Sequence, residues 1–304
     1  MRVWSHDRFT FPLPAGHRFP LGKYRLLRER VVGDRLVAGT DVHEPAAVCW
    51  DQLALVHERG LLERIRTGAM TRREQRALGL PWSPALVDRA RHSTQGTVEA
   101  ARDALEEGSG INLGGGTHHA GHDVSRGYCL VNDVAVAATL LRREGLVGRI
   151  LVVDCDVHQG DGTAQIFAAV PEVFTLSLHG ARNYPFTRVP SDLDVDLPSG
   201  TGDEPYLAAL AVALEAALDR SRPELAFYLA GADPWHGDRL GRLALTKEGL
   251  RARDELVLDR MLEDGVAVAV VLAGGYADDV RDTVDINAAT VAAVSMRMRT
   301  PRPL

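Results

Sequence analysis

Four groups of residues in this chain have types and spacings that could do chemistry: His118 with His119, Asp154 with Asp156 and His158, Asp233, and Tyr276. The densest lies in the stretch Arg149-Ile-Leu-Val-Val-Asp-Cys-Asp-Val-His-Gln-Gly-Asp-Gly162. Its β-branched apolar run, Ile150 to Val153, reads as a strand buried on both faces. Asp154, Asp156 and His158 follow at i, i+2 and i+4, so on an extended chain all three point to one side. A carboxylate and an imidazole two residues apart at a strand's carboxyl end form a two-pronged metal grip. The Gly160-Asp161-Gly162 turn lets the backbone close behind it. Upstream, Ile111-Asn-Leu runs into Gly114, Gly115 and Gly116, then Thr117, His118 and His119. Adjacent histidines on a strand would point apart, whereas an irregular glycine-rich loop delivers both into one cleft. Two later apolar runs also end in functional groups: Leu225–Ala230 in Asp233, and Ala267–Leu272 in Gly274-Gly275-Tyr276.

Asp156, His158 and Asp233 supply three oxygen or nitrogen ligands and leave positions open for water and substrate, as a catalytic metal site requires. An Asp2His set suits zinc or ferrous iron better than copper(I). His118 and His119 are then available as acid/base groups, oriented by the spare carboxylates Asp154 and Asp161. Tyr276, on its Gly-Gly hinge, is placed to donate a hydrogen bond to a developing oxyanion. Together these groups describe hydrolysis of a carbonyl derivative by a metal-activated water.

The elements that must position them alternate strand and helix. Ser83 to Glu107, with Pro84 in its first turn, reads as a helix. So does the segment from Asn132 or Asp133, either of which could cap it, to about Glu144. Asp203–Arg220, Thr246–Glu263 and Asp278–Met298 are further helices, and Val173–Leu178 is a buried strand ending at His179. Asp192–Leu197 has the alternation of an edge strand. Asp41–Gly60 carries helical periodicity, and residues 1–40, rich in Pro, Gly and aromatics, read as an ordered loop. The fold class is α/β, an open and mostly parallel sheet with helices on both faces, which collects ligands at the carboxyl ends of its strands.

Composition narrows the setting. The chain has 304 residues, 45% of them apolar, enough for one large α/β domain or two ordinary ones. A net charge of −6 and the lack of a long basic run argue against direct nucleic-acid binding. Cys49, Cys129 and Cys155 have no CxxC spacing and fit a reducing, cytoplasmic setting, and no apolar run reaches membrane-spanning length.

The sequence resembles the zinc-dependent histone deacetylases of the arginase/deacetylase fold, nearest to class IV and its bacterial relatives. The resemblance rests on Gly114-Gly-Gly-Thr-His-His-Ala120, Gly127-Tyr-Cys-Leu-Val-Asn-Asp133, Asp154-Cys-Asp-Val-His-Gln-Gly-Asp-Gly162, Gly231-Ala-Asp233 with Gly237-Asp-Arg-Leu-Gly241, and Gly274-Gly-Tyr276. Pro14-Ala-Gly-His-Arg-Phe-Pro20 points to the class IV branch. It covers nearly the whole chain and implies a single deacetylase domain over residues 1–304. It also implies zinc on Asp156, His158 and Asp233, His119 as general base, His118 as electrostatic partner or acid, and Tyr276 polarising the amide carbonyl. Asp154 would orient His118 and Asp161 would orient His119. A potassium ion is implied on Asp154, Asp156, His158, Ser177 and Leu178, and an acyl-lysine channel along Gly127, Tyr128 and Tyr184. The implied substrate is an acyl-lysine protein or peptide, with a small acylated amine or amide as the alternative.

Three positions depart from relatives. Leu240 stands where polyamine-specific members carry a glutamate, Thr117 where many have a bulky apolar residue, and Pro234-Trp235-His236 where small residues are common. Leu240 disfavours a cationic substrate tail, and Thr117 suggests a deeper pocket for acyl groups longer than acetyl. Trp235 could form the channel rim or simply pack; Pro81-Trp82 suggests a loop presenting an aromatic ring. His6, His17 and Arg18 could line a site or sit at the surface. An inactive acyl-lysine reader is disfavoured because every catalytic position is filled. A two-metal ureohydrolase is disfavoured because there is a single Asp-x-His pair.

Overall fold

The computed structural model describes residues 1–298; residues 299–304, which the single-domain expectation includes, lie outside the described residues. Among the described residues eight strands form one sheet, in chain order β1 (Val3–Trp4), β2 (Val42–His43), β3 (Ser109–Asn112), β4 (Ile150–Asp154), β5 (Val173–Gly180), β6 (Leu193–Leu197), β7 (Leu225–Leu229) and β8 (Ala267–Val271). Their spatial order is β2-β1-β3-β8-β7-β4-β5-β6, and every pairing is parallel.

The four apolar strands that sequence patterning marks out are all present, and Leu193–Leu197 lies at the sheet edge as its alternation implies. Their residues divide by parity between two cores. Ile150 and Val152, Leu225 and Phe227, Ala267 and Ala269 pack on one face. Leu151 and Val153, Ala226 and Tyr228, Val268 and Val270 pack on the other. Burial on both sides is why these runs are continuously apolar, and each buried Val or Leu contributes roughly 1.5–3 kcal/mol.

Among the described residues ten α-helices cover the two faces. They are α1 (Lys23–Gly33), α2 (Trp50–Leu53), α3 (Arg59–Thr67), α4 (Arg72–Leu78), α5 (Pro84–Glu107), α6 (Asp133–Arg143), α7 (Asp161–Phe167), α8 (Asp203–Ser221), α9 (Lys247–Glu263) and α10 (Val280–Met298). Helices α5 and α6 pack in the first core, and α1, α8, α9 and α10 in the second. Among the described residues no helix is long and apolar enough to cross a membrane.

Three sequence expectations need correction. Residues 1–40 are not one ordered loop, because β1 and the 11-residue α1 lie within them. Only Leu27 and Val31 of the apolar residues in α1 are fully buried, too narrow a stripe to register as periodicity. Asp41–Gly60 is not a helix: it passes through β2, an extended stretch and the four-residue α2. Pro45 disfavours helical backbone at Glu44 and removes a donor, and this overrides the apolar spacing. Finally, Gly160-Asp161-Gly162 is more than a turn, since Asp161 opens α7.

Candidate active site

The glycine-rich run after β3 turns sharply, with φ of +77° at Gly115 and +75° at Gly116, a region that side chains with a Cβ rarely adopt. Asp133 holds the turn: its carboxylate accepts from the backbone of Gly116 at 3.0 Å and of Thr117 at 2.7 Å, and from the Thr117 hydroxyl at 2.5 Å. Asn132, not Asp133, caps α6 by accepting from the Ala135 N–H at 2.9 Å. The result places the His118 and His119 rings side by side, 4.1 Å apart between centroids.

Each imidazole has its own carboxylate. His118 Nδ1 is 2.6 Å from Asp154 Oδ2, and His119 Nδ1 is 2.7 Å from Asp161 Oδ1. These carboxylates differ in what else they hold. Asp161 also pairs with Arg126 at 2.6 Å, which offsets its charge. Asp154 has no arginine partner among the described residues, and Asp156 lies 3.8 Å from the far nitrogen of His118. Burial disfavours charge on both rings, but at His118 the Asp154 and Asp156 carboxylates outweigh it and lift the ring to about 9. At His119 burial prevails, reinforced by the charge on His118, and the ring falls to about 4. The surroundings of His118 therefore favour its charged form and those of His119 its neutral form.

Asp156, His158 and Asp233 form the candidate metal centre, and their ligand atoms all lie within 4.8 Å of one another. Strand alternation does not bring them together. Regular strand ends at Asp154, and the chain bends as Asp156 N–H bonds Asp154 Oδ1 at 3.1 Å and His158 N–H bonds Asp156 Oδ1 at 2.9 Å. These side-chain-to-backbone bonds, not strand alternation, bring His158 Nδ1 within 2.9 Å of Asp156 and 3.3 Å of Asp233. Asp233 arrives from the end of β7, and its Oδ1 accepts from Val157 N–H at 2.9 Å.

This set fits a divalent cation. Asp233 Oδ2 is buried without a hydrogen-bond partner. Burial, and then the neighbouring Asp156, push Asp233 up to about 7. Two buried carboxylates crowded onto one imidazole, with one acceptor oxygen left without a donor, favour a bound cation. Gly274 leaves the room: a Cβ there would sit 2.0 Å from Asp233 Oδ2 and 2.5 Å from Asp156 Oδ2. The residues expected at a second cation also cluster, since Asp154 pairs with Ser177 across the β4–β5 ladder and Leu178 follows it.

Tyr276 follows the Gly274-Gly275 hinge, its backbone N–H bonded to Asp238 at 2.5 Å. Burial holds its phenol well above the usual range, so it is a hydrogen-bond donor. Among the described residues its hydroxyl bonds no protein group.

A pocket of about 600 Å³ joins these groups. His118, His119, Asp156, His158 and Tyr276 line it, together with Thr117, Gly127, Tyr128, Tyr184 and Leu240. Asp154, Asp161 and Asp233 support it from behind. The Tyr184 ring stands at 84° to that of His119, with centroids 4.9 Å apart, and the Tyr128 ring lies 5.8 Å from that of Tyr276.

Other aromatic expectations resolve outside the pocket. Trp82 packs under Gly68 and donates to Ile65 O at 2.8 Å. Trp235 packs against Gly237 and the second core, and His236 bonds Leu245 O at 3.2 Å. His17 is engaged with Gly79 O and Phe19 N–H at 3.0 and 3.1 Å. His6 and Arg18 do line the pocket.

Sequence reasoning missed several contributors. Buried Lys23 donates to Ala273 O at 3.2 Å and lines the pocket, and Arg89 lies deep in it over the Tyr24 ring. Arg253, wholly buried on α9, bonds Gly231 O at 2.6 Å and Cys155 O at 3.3 Å, tying the two turns that carry the candidate ligands. A long cationic residue inside a helix has no local signature of burial; only Arg253-Asp254, adjacent in sequence and mutually neutralising, hinted at it.

Comparison with known proteins matches residues 17–293 to the histone deacetylase domain family. The chain is 44% identical over 282 residues to an uncharacterised protein of Picosynechococcus sp., covering 93% of this chain and 94% of that one. It is 29% identical over 281 residues to histone deacetylase 2 of Arabidopsis thaliana, covering 90% of this chain and 73% of that one. Its fold superposes with a TM-score of 0.82 on the crystal structure of a histone deacetylase homologue from Aquifex aeolicus, at 23% identity over 98% of this chain and 83% of that one.

Proposed function

The chain belongs to the histone deacetylase family, and on that premise we propose that it hydrolyses the amide of N-acyl-lysine in a metal-dependent reaction. The observation that carries this reading is the asymmetric histidine pair beside the Asp156/His158/Asp233 cluster in one pocket. Zinc, or ferrous iron in its place, bound there would supply Lewis acidity toward the amide carbonyl and make a nucleophile available at neutral pH.

The chain's own residues do the rest. His119, neutral and oriented by Asp161, accepts the proton of the attacking water. His118, held charged by Asp154, stabilises the negative charge that develops and is the acid for the leaving amine. Tyr276 donates to the oxyanion. Gly127, Tyr128 and Tyr184 wall the channel for the lysine stem. Potassium on Asp154, Asp156, His158, Ser177 and Leu178 belongs to the same reading as a structural ion. We take the chain as a single deacetylase domain, because one sheet carries every residue of the site.

The pocket lining also includes Phe11, Leu86 and Leu130, apolar walls that suit an acyl chain longer than acetyl. Leu240 at the wall supplies no carboxylate for a polyamine tail. The three free cysteines suit a reducing, cytoplasmic setting.

The test is hydrolysis of a panel of acyl-lysine peptides and acetylpolyamines by zinc-loaded protein, beside Tyr276→Phe and His119→Ala. Turnover of acyl-lysine lost in both variants supports the reading. Stoichiometric zinc without turnover of any acyl-lysine sinks it.

A further inference from the structure

We propose that the pocket mouth is a cationic collar that selects acyl-lysine flanked by acidic residues; this rests on the deacylase reading above. The pocket is lined by Arg18, Arg182, Arg239 and Arg242, with Lys23 and Arg89 deeper. Its lining contains one carboxylate, Asp156, which belongs to the candidate metal centre on the floor.

The arginines of the collar are free to meet a substrate. Arg18, Arg182 and Arg242 are exposed, and among the described residues none has a carboxylate within 4 Å. Arg239 has one carboxylate partner, Asp278 at 3.5 Å and itself 86% exposed, and otherwise donates to the carbonyls of Tyr276 at 2.9 Å and Arg18 at 3.3 Å, so its charge is not offset by a buried acid. The acid on the same loop, Asp238, is turned inward, its oxygens taken by the backbone N–H groups of Leu240, Gly241 and Tyr276.

Composition does not explain this excess, because the chain carries a net charge of −6. On surfaces away from the pocket several arginines are neutralised, although exposed Arg35, Arg59 and Arg143 have no carboxylate within 4 Å among the described residues. Arg260 meets Glu215, Glu263 and Asp264, Arg297 meets Asp259, and Arg30 meets Asp34 and Asp285. Unpaired like charges around one opening raise the local concentration of an anionic partner and repel a cationic one.

Across about 7 Å of water one opposite-charge pair is worth about threefold in affinity, so two flanking acids give about tenfold over a neutral peptide. Near 1 M salt the Debye length is about 3 Å and the effect vanishes.

The experiment compares kcat/KM for three peptides carrying the same acyl-lysine flanked by Glu, Gln or Lys. Wild type and the Arg182→Glu/Arg242→Glu variant are measured at low and high salt. The expected order is Glu above Gln above Lys, expressed mainly in KM, collapsing with salt and inverted in the variant. Equal rates, or preference for the Lys-flanked peptide in wild type, overturn the collar while turnover of the Gln peptide leaves the deacylase reading standing. If no peptide is hydrolysed the deacylase reading fails. Anisotropy of the labelled peptides then still decides the collar: tighter binding of the Glu-flanked peptide supports it and equal binding overturns it.

Discussion

Replacing Arg253 by methionine, close in length and uncharged, tests the clamp beneath the site. In the native protein its guanidinium makes two contacts to Asp254 Oδ1, at 2.8 and 3.0 Å, and donates to the carbonyls of Gly231 and Cys155. Asp254 is 1% exposed, and its other partners, the hydroxyls of Tyr228 and Thr290, are neutral. Removing the cation therefore strands a buried carboxylate, which costs about 3–5 kcal/mol. The Gly231 carbonyl loses a charge-assisted bond worth about 1.5–3 kcal/mol. Allowing for relaxation, the expected loss is about 4–6 kcal/mol, a large share of the roughly 5–15 kcal/mol that holds a typical domain. Adding Asp254→Asn removes the stranded charge and keeps an acceptor for the Tyr228 hydroxyl, while the amide NH2 faces Thr290, whose hydroxyl has the Ile286 carbonyl as its other acceptor, so the double variant should recover about 2 kcal/mol or more. Urea denaturation of wild type, both single variants and the double variant reads these values. Because Gly231 and Cys155 each lie within two residues of a candidate ligand, zinc affinity by chelator competition should also fall in the double variant, even where its fold is restored. A single variant within 1 kcal/mol of wild type, or a double variant no more stable than the single, would refute the clamp.

Gly274→Ala pushes a methyl group into the two carboxylates and should weaken zinc binding by about 100-fold while changing urea stability little, since misplacement by about 1 Å disrupts a site more than a fold. Buried His57 bonds Gly121 O and accepts from Asn132 N–H, and burial lowers its pKa from 6.5 to about 4. The unfolded chain thus binds the proton first as pH falls, so this stability is present above about pH 6.5 and lost toward pH 4. Between pH 7 and 5 His57 accounts for about 2 kcal/mol of loss, which a His57→Gln variant should lack in parallel denaturation curves. Thr117→Leu should narrow the deep pocket and shift kcat/KM toward acetyl-lysine; an unchanged acyl-length profile would dismiss the longer-chain reading.

How much could be foreseen from sequence depends on how local each cause is. The central strands were legible because burial on both faces demands unbroken apolar runs, a demand that each run states by itself. The glycines before His118 and the polar groups at the ends of β4, β7 and β8 were legible for a similar reason, because strand direction fixes which end they occupy. Asp156 and His158 were correctly grouped, although through strand geometry where the cause is a bend made by side-chain-to-backbone bonds. Helix α1 was lost because its buried stripe is short and the residues around it look like loop.

Other features exist only once the sheet is assembled. The order of the strands inserts β8 and β7 between β3 and β4, and this meeting of distant segments brings Asp233 and Tyr276 to the histidines. Which carboxylate serves which histidine was expected, but the difference between the two pairs was not. It comes from Arg126 reaching Asp161 and from Asp156 standing near His118, charges whose effect depends on burial and distance. The unpaired arginines at the mouth and the buried Arg253 show the same limit: the sequence by itself determined the charges, and only the tertiary structure decided which were offset, since pairing and desolvation are properties of space and not of spacing.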